Sequence, residues 1–323
     1  MPGIPYYGGT ATLQGQFETA YRTPPVSPNT QLLKFEKLTI GQDADLAEDD
    51  TINAAALPEK RDEMDSSASG TGTLRLCLNE IGWWLKLLWG APVTTGAGPY
   101  VHTFTLNLLE RPSALLELQV SNGSVSRYHR FLGMKLKELG FDVMEKKPDY
   151  TVNLMGAVEV KPFPTAAFDL TPSALYDKLV PCTKRANIYD VLNNSTLGDI
   201  TKCPIKFDND FEGYPLADGG EGMGCILLGR PTITGSMAAL FTPGTAFDYA
   251  LAHTSKKLVM ETKDASGTYS MVITLPNIEF DRPKAQIETS KGLVVDGLAW
   301  RAHNAAGAAA PTIVLTNQVA SYP

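Results

Sequence analysis

The residues of this chain that could do chemistry are four histidines, four cysteines and a dense run of carboxylates. His102 stands in "YVHTFTL", residues 100 to 106. With a period of two it shares a strand face with Tyr100, Phe104 and Leu106. A metal site would want a second ligand two residues away or on a facing strand, and nothing nearby supplies one. His102 therefore reads as a sheet residue, and His129, His253 and His303 are equally isolated. Cys77, Cys182, Cys203 and Cys225 show no CxxC spacing and no neighbouring histidine pair, so they read as free thiols of a reducing compartment. No GxSxG elbow is present, and no cysteine sits beside a base in a signature context. "GGEGMGC" at 219 to 225 has the look of a phosphate-cradling loop, but such a loop should open a helix. This one leads into "CILLGRPTITG", which reads as strand, so a turn is expected. No enzyme, metal or cofactor is expected from these residues.

The carboxylates are concentrated. Residues 41 to 72 hold Asp43, Asp45, Glu48, Asp49, Asp50, Glu59, Asp62, Glu63 and Asp65 against Lys60 and Arg61 alone. Their local balance of −7 equals that of the whole chain, so the remainder is close to neutral. The spacing does not match a calcium loop with its central glycine and terminal glutamate. A long acidic loop, residues 41 to 72, is expected instead. No basic run occurs anywhere, which disfavours a protein that grips nucleic acid, though not one past which DNA slides. "MPGIPYYGGT" lacks the basic start and apolar region of a secretory signal. "IGWWLKLLWGAPV" carries a lysine and is too short to span a bilayer.

The elements that must hold these residues are mostly short strands. "LLKFEKLTI", "GTLRLCL", "SALLELQV", "YTVNLMGAVEV", "KKLVMET" and "TIVLTN" are examples, bounded by Gly, Pro, Asn or Asp. Their spacing suggests a sandwich or barrel. Two helices interrupt them. "NEIGWWLKLLWG" has Asn79 as N-cap, Gly90 past its end, and an apolar stripe of Ile81, Trp84, Leu85, Leu88 and Trp89. Trp83 and Leu87 lie off that stripe. They belong either to a helix enclosed by its own domain or to a contact with a neighbouring subunit. "TPGTAFDYALAH" has Thr242 as cap, Pro243 at its first position, and Phe247, Ala250 and Leu251 on its apolar face.

The chain also matches itself. Tyr128 and Tyr269, Val152 and Leu293, Leu154 and Val295, and Gly156 and Gly297 all stand 141 positions apart. Lys34–Phe35 resembles Lys206–Phe207 at a larger offset. The two helices occupy equivalent places, each after a strand and before a set of strands. An internal duplication with a boundary near residues 161 to 180 is expected.

Several segments together resemble the phage tail tube proteins. "GPYVHTFTL…PSALLELQV" is similar to a segment typical of that family. So is the closing run "LPNIEFDRPKAQIETSKGLVVDGLAWRAHN…PTIVLTN", and "CPIKFDNDF" resembles the start of a second tube domain. The resemblance implies a major tail protein of phages with long, non-contractile tails. It implies a β-sandwich or barrel domain with one flanking helix; taken with the duplication, the expectation is a mainly β fold of two tandem domains of this kind, residues 1 to 170 and 171 to 323, each with one flanking helix. It implies a structural virion protein, assembled in the bacterial host cytoplasm, whose stacked rings form the tail tube and conduit for genome DNA. Trimeric, pseudo-hexameric rings are favoured, with hexamers possible. The implied partners are a tape measure protein inside the tube during assembly, tail terminator and tail tip proteins, and DNA passing without specific binding. Asp43, Asp45, Glu48, Asp49, Asp50, Asp62, Glu63 and Asp65 would face the lumen or, as favoured, bridge stacked rings. Trp83 and Leu87 are the candidates for a subunit-interface helix. Two other readings compete. A soluble β-sandwich decoration module would want an exposed aromatic platform, whereas three of the four tryptophans here sit on a helix. The tube component of a secretion-type injection machine is usually shorter.

Overall fold

The computed structural model describes residues 8–47, 62–106, 111–142, 148–189, 200–215, 221–240, 252, 254–281, 294–305, 307 and 309–322. Among them the chain forms twenty strands and one α-helix. In chain order these are β1 (Thr12–Phe17), β2 (Gln31–Leu33), β3 (Lys37–Ala47), β4 (Asp62–Arg75), α1 (Ile81–Trp89), β5 (Val93–Thr95) and β6 (Tyr100–Thr105). Then come β7 (Ala114–Ser121), β8 (Ser126–Asp142), β9 (Asp149–Gly156) and β10 (Val158–Glu159). After a long connection follow β11 (Thr183–Tyr189), β12 (Ile200–Lys202), β13 (Pro204–Asp208), β14 (Phe211–Pro215), β15 (Met223–Leu228) and β16 (Thr232–Leu240). The last are β17 (Lys256–Lys263), β18 (Ser270–Phe280), β19 (Val294–Ala302) and β20 (Thr312–Asn317).

All ladders between these strands are antiparallel; apart from the short β12–β16 pairing and the separate two-stranded sheet β14–β15, they form three runs. The first is β2–β1–β7–β8–β10. The second, central run is β3–β4–β9–β8–β13–β16–β19–β18. The third is β11–β17–β18–β20–β6–β5. Two long strands are shared between runs. β8 leaves β7 and takes up β9 around Gly133, where the β7 ladder is irregular and φ is 68°. That positive φ favours glycine, and a Cβ there would also meet Ala157 at 2.9 Å. β18 changes partners in the same way, with a register shift before Ile278 where it passes to β19.

One order of pairing therefore occurs twice. β1–β7–β8–β9–β4–β3 in the first part is matched by β11–β17–β18–β19–β16–β13 in the second. Shifted by 141 positions, β7, β8 and β9 overlap β17, β18 and β19. The hairpins match too. β3 and β4 form one long hairpin, while β13 and β14 run back along β15 and β16 as another, bent near Asp210. The two parts are joined edge to edge by β8–β13, and again by β6–β20.

The segment expected as an acidic loop is largely sheet. β3 and β4 stay paired out to Ala47 and Asp62, so the acids up to position 47 and from 62 lie on strands. The reason is alternation. In "SSASGTGTLR" the residues Ser66, Ala68, Gly70, Gly72 and Leu74 form one buried face of small side chains ending in a leucine. Glu48, Asp49, Asp50 and the rest of 48–61 lie outside the described residues, as does the expected second helix apart from Ala252.

α1 lies inside the chain. Eight of its nine residues are buried, only Lys86 being partly exposed. Its N-cap is Glu80 rather than Asn79, and Gly90 closes it by donating to the Lys86 carbonyl. Trp83 and Leu87 are both 0% exposed, which corrects their candidacy as a subunit contact. Trp83 packs on Phe17 (centroids 4.9 Å apart) and edge-on to Trp84, over β1 where Gly15 has no Cβ to obstruct it. No surface of either side chain is left for a neighbour.

Candidate functional site

The residues with chemical potential are taken up structurally. His102 is fully buried. Its Nε2 donates to the Val319 carbonyl and its Nδ1 shares a hydrogen with the Thr94 hydroxyl, both at 2.8 Å. Both ring nitrogens are thus occupied in pinning the C-terminal tail to β5 and β6. His129 pairs with Glu159 at 2.8 Å, and His303 with the Ser255 hydroxyl at 2.9 Å. His253 lies outside the described residues. Cys77 and Cys203 are buried, and burial pushes the Cys203 thiol up to about 12, away from reactivity at neutral pH. The glycine-rich stretch runs into β15, a strand. Among the described residues no group of three or more His, Cys, Asp or Glu could hold a metal ion.

What the fold does present is strand edges and one broad sheet face. The β8–β13 joint shows how an edge is filled. Leu139 stands opposite Phe207 and Phe141 opposite Ile205. The Phe207 ring meets Trp89 edge-on at 5.3 Å, tying the joint to α1. Asn209 then donates to the carbonyls of Leu88 and Leu136, each at 3.0 Å. Among the described residues, the edges at the two ends of the central run lack such a filling. β3 pairs with β4 alone among the described strands. Beyond Ile278, where the β17 ladder ends, the strand partner of Glu279 and Phe280 among the described strands is β19.

The central run has an apolar face towards α1 and an opposite face towards solvent. Tyr150, Val152, Leu154, Leu139, Phe207, Ile233 and Trp300 are buried on the first. On the second, Lys37, Thr39, Thr71, Thr73, Thr151 and Asn153 line a shallow open groove with Glu138. Lys206 lies beside it, its ammonium 2.8 Å from Glu138 and 3.6 Å from Asp208. Of the acids expected to act, Asp43 accepts a hydrogen bond from Ser69, and Asp65 is exposed. Asp45, Asp62 and Glu63 belong to the same hairpin. The Glu138–Lys206–Asp208 group was not anticipated. The alternation of Lys206 and Asp208 in "PIKFDN" was a signal for their shared face, but Glu138 joins them only through the β8–β13 register.

No helix among the described residues is long and apolar enough to cross a membrane. A search of curated proteins returned no match. The family model of the phage tail tube proteins matches residues 8–310. With that match spanning nearly all of its length, this β-rich chain belongs to the phage tail tube family, structural proteins of the virion tail.

Proposed function

We infer that the chain is a ring-forming subunit carrying two tube domains, residues 1–170 and 171–323. The observation that carries this reading is the repeated pairing order with one joint already made. β13 and β3 occupy equivalent places, as do β8 and β18. β13 fills the side of β8 that β9 leaves open. The equivalent partner of β18 is β3, which one chain cannot supply to itself at the far end of the same run. A second chain can. Pairing β18 of one copy with β3 of the next is a head-to-tail contact, which closes into a ring when the rotation allows. It also removes the open edges that would otherwise invite aggregation. Three two-domain copies give a ring with pseudo-sixfold symmetry, its joints alternating within and between chains. Stacked rings form the conduit for genome DNA, assembled in the host cytoplasm around a tape measure protein and finished by terminator and tip proteins. The acidic β3–β4 hairpin, with Asp43, Asp45, Asp62, Glu63 and Asp65 on its strands, bridges successive rings.

Electron microscopy of the purified chain, with native mass measurement, tests this. Rings or rods built from three-chain units are expected. A chain that stays monomeric at every concentration overturns the reading.

A further inference from the structure

We propose that Glu80, Tyr150 and Tyr176 hold an internal water molecule where α1, β9 and the connection between the two parts meet. The inference stands apart from the ring reading and concerns the chain by itself.

Glu80 caps α1 and is 1% exposed, and Tyr150 of β9 is fully buried. Tyr176 lies in the connection from β10 to β11, with its hydroxyl oxygen buried. The two tyrosine hydroxyls and the second Glu80 carboxyl oxygen make no hydrogen bond among the described residues. Both tyrosines feel the charge of Glu80. Backbone contacts gather the same elements. Lys34 gives its N–H to Glu80 and its ammonium to the Tyr176 carbonyl. The Asp177 carbonyl accepts from the Asn79 side chain, and the Leu179 carbonyl from the Leu78 N–H. Leu74 stands opposite Tyr150 in the β4–β9 register, and the Leu76 N–H then reaches the Pro148 carbonyl. A buried polar atom without a partner is costly, and three at one place would be exceptional in a folded protein. One water serves all three. It can accept from two of these groups and donate to the third, and three hydrogen bonds are the usual complement of an internal water. The chemistry favours water over a cation. Two of the three groups are neutral hydroxyls, the Lys34 charge acts on Glu80, and burial pushes the Glu80 carboxyl up to about 7. In mildly acidic solution the site therefore carries no net negative charge to attract a metal ion. Tyr176 itself is only half-buried, so the site lies one side chain away from solvent.

The test is a crystal structure of the full chain, grown near pH 6, at a resolution that shows ordered water. An ordered water within about 3 Å of all three oxygens is expected. A direct hydrogen bond between Glu80 and either tyrosine, a metal ion at this place, or a dry site overturns the inference. Urea unfolding at the same pH gives a second measurement that needs no crystal. Tyr150→Phe and Tyr176→Phe each take one partner from the shared water, and each is expected to raise the unfolding constant about fivefold. The double variant is expected to raise it by clearly less than the product of the two, because the first substitution has already loosened the water that the second would lose. Phenylalanine variants that leave stability unchanged or improve it, or whose losses simply multiply, overturn the inference, since a hydroxyl with no partner costs nothing to remove.

Discussion

Glu80 gives the sharpest handle on the energetics of the fold. Its side chain is 1% exposed, at the start of α1. One carboxylate oxygen accepts the Lys34 backbone N–H at 2.9 Å, while the other has no hydrogen-bond partner. Tyr150 and Tyr176 are close enough to interact with it electrostatically, and both carry hydroxyls without partners. The Lys34 ammonium is itself engaged by the Tyr176 carbonyl. Burial outweighs the help from Lys34 and pushes the Glu80 carboxyl up to about 7 from an ordinary 4.5.

The sign follows from linkage. Below pH 4.5 the carboxyl is neutral in both folded and unfolded chains, and its contribution is fully present. Between pH 4.5 and 7 the unfolded chain gives up the proton while the folded chain keeps it, so stability falls as pH rises. Above 7 the loss is complete. A displacement of this size corresponds to about 3 kcal/mol, a large part of the ~5–15 kcal/mol that holds a domain together. Glu80→Gln keeps the shape and the acceptor for Lys34 but cannot ionise. Urea unfolding midpoints of wild type and variant, followed from pH 4.5 to 8.5, isolate the effect from every other titrating group. The variant is expected to match the wild type at the acid end and to be more stable by about 3 kcal/mol above pH 7.5. Parallel curves across the window would refute the reasoning.

Three further outcomes follow from the same contacts. Phe207→Ala should cost about 3–5 kcal/mol, because it opens a cavity where β8, β13 and α1 meet and removes the edge-on contact with Trp89; urea denaturation measures it, and Phe207→Leu should recover most of the loss. Gly82→Ala places a Cβ 2.1 Å from the Tyr322 ring, so the tail must lift; a loss of about 1–3 kcal/mol is expected, and much of it should vanish in a Tyr322→Ala background, as a double-mutant cycle would show. Gly133→Ala forces an L residue into positive φ against Tyr21 and Ala157, and thermal unfolding should register a drop of about 1–3 kcal/mol.

The sheet was legible because its strands alternate. β17 buries every second residue from Lys256 onward, and β20 does so from Ile313. α1 was legible from its stripe and from Gly90. The hidden parts are those decided by which strands meet. Trp83 looks surplus to a one-sided helix until β1 arrives over it with a glycine at position 15. The acidic stretch looks like a loop because its charges stand out more than the small buried residues between them. Glu138 and Lys206 are far apart in sequence, and only the register of β8 against β13 puts them 2.8 Å apart. Nothing in the local sequence says that Glu80 will be buried beside Tyr150 and Tyr176.

The clasp between the two parts bears on how a ring would close. The first part is held to the second by β8–β13, by β6–β20, and by a tail whose Asn317 donates to Leu78 at 2.8 Å and whose Val319 carbonyl receives His102. These contacts fix the relative placement of both ends of the central run before any second chain arrives. In a ring of three such chains, every second joint is intramolecular and carries no cost of lost translation and rotation on association. The remaining joints would inherit a preset angle, so that an incomplete ring would present an edge already aimed at its partner. Loosening the clasp, as Gly82→Ala should by lifting the tail, is then expected to lower the fraction of closed rings more than it lowers the stability of the isolated chain. Ring counts at matched folded fractions separate the two effects, and equal losses would mean that the clasp holds the chain together without directing its assembly.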